Sequence, residues 1–81
     1  MADPEPTHAV RRLVDTICQS ENAEQVEIAT ETLTGIVRGM NRGDIAYAEQ
    51  QLSDVIFYEN PIYRQQAASK ALTAIRNLQS Y

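Results

Sequence analysis

Eighty-one residues, 43% of them apolar, with a net charge of −4, describe one small globular domain rather than a disordered chain. A single cysteine, Cys18, and a single histidine, His8, exclude an internal disulfide and leave too few ligands for a structural zinc, which takes about four. A chain of this size buries only about 60–65% of the surface that its unfolded form exposes, so a subunit partner is the expected aid to stability.

No run approaches the ~18 apolar residues of a membrane span. The opening MADPEPTHAV lacks the apolar stretch of a secretory signal. The expectation is a cytoplasmic protein with a reduced thiol and no membrane partner. Charge is unevenly placed: −1 over residues 1–20, −6 over 21–59 and +3 over 60–81. An acidic middle and a basic end can attract each other within one fold or between two subunits.

Residues 1–6, with prolines at 4 and 6, read as a flexible N-terminal tail, and 7–81 as a single helical domain. Thr7 is placed to cap a first helix over 8–19, where Val10, Leu13, Val14, Ile17 and Cys18 follow the helical period. QSEN breaks it. Asn22 and Gln25 have the spacing of a capping box for a second helix, with Glu24 and Glu27 at its positive end. Its inward face is Val26, Ala29, Leu33, Ile36, Val37 and Met40. Arg38 and Arg42 suit its C-terminal end, and Gly43 is read as the left-handed residue that closes it. Asp44 then caps a third helix with Ile45, Ala48, Leu52, Val55 and Ile56 inward. In Asn60-Pro61 the proline suits a first helical position and the asparagine a cap. The fourth helix runs from Pro61 to about Gln79, with Ile62, Ala68, Ala71, Leu72, Ile75 and Leu78 inward. No segment alternates with period two. The fold class is all-α: a small bundle of about four antiparallel helices joined by short turns.

Chemistry-bearing residues are few. His8 has no evident group to hold it as a base, Cys18 lies on an apolar face as an inert thiol, and Glu24, Glu27 and Glu31 form a solvated acidic face. Gly35, Gly39 and Gly43 are spread at helical intervals, which makes no phosphate loop but allows another helix to approach closely. Arg42-Gly43-Asp44 spells an adhesion tripeptide and is better read as a helix stop and a cap. No acid, base and nucleophile come together, so neither an enzyme nor a cofactor is expected.

The stretch RGDIAYAEQQLSDVIFYENP resembles the second half of a tetratricopeptide repeat, with Gly43, Ala48 five residues later and a closing proline at 61. The usual proline comes one residue sooner, and Thr32 and Ile36 stand where that family's aromatic and leucine signature would be. The resemblance covers about a quarter of the chain and implies a peptide-binding helical hairpin.

Most of the functional information lies in FYENPIYR, residues 57–64. Asn60 and Pro61 have a structural reason as a turn, and Glu59 with Arg64 has the spacing of an ion pair across it. The rings have none that is as plain. Tyr47, Phe57, Tyr58 and Tyr63 fall off the core stripes, with Tyr47 and Tyr58 sharing a helix face. They either lie over the rim of a thin core or form a protein-interaction surface, where aromatic residues are enriched. The first reading is a regulator, adaptor or inhibitor that binds an unidentified protein partner, as a homodimer. An alternative is a nucleic-acid-associated regulator that uses Arg64, Lys70 and Arg76 as an electrostatic surface. Three cations are too few to argue for it alone, and helix three has acids where duplex contacts need bases. A second alternative is a helical oligomer whose tyrosines stack on a small molecule.

Overall fold

The computed structural model describes residues 5–58 and 60–79. Its described residues form four α-helices, α1 (His8–Gln19), α2 (Ala23–Ile36), α3 (Arg42–Phe57) and α4 (Ile62–Gln79), with one 3-10 turn (Val37–Gly39) between α2 and α3 and no strand. Residues 20–22 reverse the chain between α1 and α2, and α3 and α4 pack against each other in the same way, giving two antiparallel hairpins. The hairpins stack side by side: α1 packs on α3 and α2 on α4, whereas α2 and α3 do not touch. Side-chain contacts show that α1 and α3 run the same way. Thr7 meets Asp44, Asp15 meets Tyr47 and Cys18 meets Gln51 in ascending order.

The α-helical bundle is therefore the architecture expected, but the tetratricopeptide pairing is not formed. That pairing needs α2 to fold back on α3, and α3 instead opens the second hairpin.

The core is built from β-branched residues, leucines and alanines. Val14, Ile17, Leu33, Leu52 and Ile75 are fully buried at the centre, each contributing about 1.5–3 kcal/mol by leaving water. Ala29, Ala48, Ala67, Ala68 and Ala71 line the seams between helices, where small side chains let the backbones approach. The radius of gyration, 11.8 Å, is that of a folded chain of this length.

Helix ends depart from the sequence reading in several places. Thr7 occupies the cap position of α1 but makes no side-chain cap. Its backbone N–H and its hydroxyl both donate to the Asp44 carboxylate, the hydroxyl at 3.1 Å. Asn22 caps α2 by accepting from the N–H groups of Glu24 and Gln25 at 3.0 and 3.2 Å. Gln25 does not complete the box, because its side-chain oxygen accepts from the Ser20 hydroxyl.

The second helix ends sooner than its apolar pattern implies. Thr30, Thr32 and Thr34 donate to carbonyls three or four residues back, a pattern that bends helices, and Gly35 and Gly39 each weaken helix by about 1 kcal/mol relative to alanine. The chain tightens to 3-10 at Val37 and restarts at Asn41. Gly43 is consequently a buried residue of the first turn of α3, and no described glycine has positive φ. The cap of α3 is Asn41, not Asp44. Asn41 Oδ1 accepts from the Asp44 N–H at 2.8 Å, and the Asp44 carboxylate accepts from the Asn41 N–H at 3.0 Å, a reciprocal capping box. Arg42 opens α3 rather than closing α2.

At the second hairpin, Asn60 does not cap α4. Pro61 supplies the carbonyl that accepts the first helical bonds, from Arg64 and Gln65. The Asn60 amide instead donates to the carbonyls of Val55 and Tyr58, closing the end of α3. The expected Glu59–Arg64 ion pair lies outside the described residues. Three residues expected inside are outside: Ile36 is 39%, Ile56 43% and Ile62 72% exposed. Ile62 is at the first position of α4, before the helix has reached the core.

Candidate functional site

Both hairpin turns lie at one end of the bundle, and Arg64 joins them. Its Nη2 donates to the Ser20 carbonyl at 2.7 Å and its Nη1 to Asn60 Oδ1 at 3.0 Å. The guanidinium carbon lies 5.7 Å from the centre of the Tyr63 ring, a cation–π distance. Arg64 Nε is buried without a hydrogen-bond partner among the described residues. Tyr63 Oη donates to the same Ser20 carbonyl at 3.4 Å. Arg64 is thus held in the seam between the hairpins rather than in a row with Lys70 and Arg76 on the outside of α4. Lys70 and Arg76 are both exposed.

The four candidate rings separate into two pairs. Tyr47 and Tyr63 are half-buried between helices. Tyr47 Oη donates to Asp15 Oδ1 at 2.5 Å, and Arg11 lies 5.8 Å from its ring centre. The hydrogen bond to Asp15 raises the Tyr47 phenol above its ordinary value, helped by burial and by the Asp15 charge, and Arg11 opposes this. Phe57 and Tyr58 face solvent, 87% and 66% exposed. Their ring centres are 6.0 Å apart with planes at 66°, the edge-to-face geometry that aromatic pairs favour. Tyr58 lies past the end of α3 in extended backbone, so it shares no helix face with Tyr47.

Exposed Ile56 and Ile62 flank this ring pair within seven residues of chain. Four large apolar side chains are thus exposed close together in the chain around the α3–α4 turn, where scattered single ones would call for no explanation. Periodicity could mark Phe57 and Tyr58 as off the core stripe, but not Ile56 and Ile62, which sit at inward positions of their helices.

Beside the turn, a groove of about 320 Å³ runs between α2 and α4. Ala23, Glu27 and Thr30 line one side and Tyr63, Gln66, Ala67 and Lys70 the other. Nothing in the sequence marks it, because it depends on α2 and α4 lying alongside each other.

Elsewhere the chemistry is sparse. Cys18 is half-buried, with Sγ 3.7 Å from the Gln51 carbonyl. Burial, with the Asp15 charge second, pushes its thiol up to about 11. His8, Glu24, Glu27 and Glu31 are exposed. Among the described residues no cluster of three or more His, Cys, Asp or Glu could hold a metal ion, and no helix is long and apolar enough to cross a membrane. Gly35 and Gly39 face open space, so no helix of this chain uses their spacing.

No family model, curated protein or solved structure matches this chain.

Proposed function

We propose that this protein acts by binding another protein through its α3–α4 turn, as a cytoplasmic regulator, adaptor or inhibitor that works as a homodimer and carries out no catalysis of its own. The observation that carries this reading is the joint exposure of Ile56, Phe57, Tyr58 and Ile62. Leaving such side chains in water gives up about 1.5–3 kcal/mol each that burial would supply. A chain with a thin core has strong reason to bury them, and a protein surface offers the means. Phe and Tyr also place large contact area with little loss of side-chain freedom, which suits a binding hot spot.

A photo-crosslinking residue at position 57 tests this in cells of the native host, with Thr73, exposed on α4, as the control position. Discrete adducts from 57 that are absent from 73 are expected. Equal, diffuse labelling from both positions, or none from 57, defeats the reading.

A further inference from the structure

We propose that two copies of this chain dock reciprocally, each inserting its Phe57–Tyr58 ring pair into the α2–α4 groove of the other. This rests on the reading of the α3–α4 turn as a protein-binding surface and names the partner as a second copy.

The projecting rings and the groove meet along the start of α4. Ile62 flanks the ring pair, Tyr63 lines the groove one residue later, and Gln66 follows one turn on. A twofold axis beside this part of α4 therefore brings both contacts into one closed, isologous interface. The groove's 320 Å³ lies at the small end of the range that holds ligands of ring size and above. Buried Ala67 gives it a floor without bulk, and exposed Ala23 leaves its rim open.

Charge favours the chain's own turn as the occupant. With Asp44 buried and Arg64 held in the seam, the charges left at the surface after Arg42 are Glu49 and Asp54 on α3 and Lys70 and Arg76 on α4. Exposed Asp54, one turn before Tyr58, approaches the partner copy from the side of Lys70 on the α4 wall of the groove, away from Glu27 on the α2 wall. Area agrees as well. Covering the four apolar side chains removes roughly 500 Å² per copy, scaling ring areas of about 150–250 Å² by their exposure. A standard interface takes about 800 Å² per partner, and the groove walls supply the remainder.

Sedimentation equilibrium of the wild type, Phe57→Asp, Ala23→Trp and an equimolar mixture of the two variants tests the docking. Ala23 is exposed at the first position of α2, so tryptophan there fills the groove from the rim. Lys70→Glu provides a second groove-side variant if Ala23→Trp does not fold. The wild type is expected to dimerise, and each variant to associate at least tenfold more weakly. The mixture is expected to regain part of the dimer, because an intact ring pair on one chain still meets an intact groove on the other. A wild type that stays monomeric to about 100 μM overturns the proposal, as does full dimerisation of both groove variants or a mixture no more associated than its components. If the chain is monomeric yet position 57 crosslinks to a different protein, this docking and the homodimer fail, and binding of another protein through the α3–α4 turn stands. Absence of any adduct from 57 defeats both docking and binding.

Discussion

Asp44 ties the segment before α1 to the start of α3, and replacing it with alanine is the most informative change to the fold. The side chain is 1% exposed and accepts from the Asn41 N–H, the Thr7 N–H and the Thr7 hydroxyl. Asp44→Ala removes half of the capping box, worth about 1 kcal/mol. It also removes the bonds from Thr7 to a charged acceptor, each worth about 1.5–3 kcal/mol when intact. Thr7 is exposed, and water recovers part of that. The expected net loss is about 2–4 kcal/mol. A domain of this length has about 4–12 kcal/mol in total, so the variant sits near the edge of folding. Urea denaturation followed by circular dichroism measures the loss as a lower midpoint with unchanged slope. Asn41→Ala should cost only about 1 kcal/mol, since it leaves both Thr7 bonds in place. In a double-mutant cycle, Thr7→Ala and Asp44→Ala should couple by about 1 kcal/mol or more. A loss below about 0.5 kcal/mol for Asp44→Ala, or purely additive effects with Thr7→Ala, would refute the reasoning.

Arg64→Ala should lower stability by about 1–3 kcal/mol through loss of its bonds to Ser20 and Asn60, and Arg64→Lys should not restore it, because one ammonium cannot span both acceptors; urea midpoints of the two variants check this. With its thiol pushed up to about 11, Cys18 is ionised in only about one molecule in a thousand at pH 8, so a thiol-specific dye should react far more slowly with the folded chain than with the chain in urea. Tyr47 has a folded-state value above its unfolded one, so its contribution is fully present below the ordinary tyrosine range near 10 and is lost as pH rises through the folded value. Tyr47→Phe should therefore cost about 1 kcal/mol at pH 7 and lose its effect in strong alkali, as measured by denaturant midpoints across pH.

The helices and most of the core were legible because period and burial coincide. Val10, Val14 and Ile17 in α1, and Ala68, Ala71, Leu72 and Ile75 in α4, are inward in both readings. Boundaries were less legible where one residue fits two roles. Gly43 suits a helix end in isolation, yet the Asn41-x-x-Asp44 spacing of a capping box was present two residues before it. What decided between them was the early end of α2, set by threonine back-bonding and glycine, and the acceptance of Thr7 bonds by Asp44 from 37 residues away. Period put all four candidate rings off the stripe; Phe57 and Tyr58 are exposed, whereas Tyr47 and Tyr63 pack against the core. The positions of Tyr47 and Tyr63 depend on Asp15 and Ser20, which reach them from the other hairpin, and local pattern carries no record of such contacts. The groove is likewise a product of tertiary stacking.

The central claim, that the exposed rings serve binding and not the core, is tested most directly by unfolding the Phe57→Ser, Tyr58→Ser double variant at low protein concentration beside its association with the partner that crosslinking at 57 identifies, a second copy included. The account predicts a urea midpoint within about 0.5 kcal/mol of wild type, as for surface changes generally, together with association weakened by about 2 kcal/mol or more. A stability loss of about 2 kcal/mol with association unchanged would contradict it.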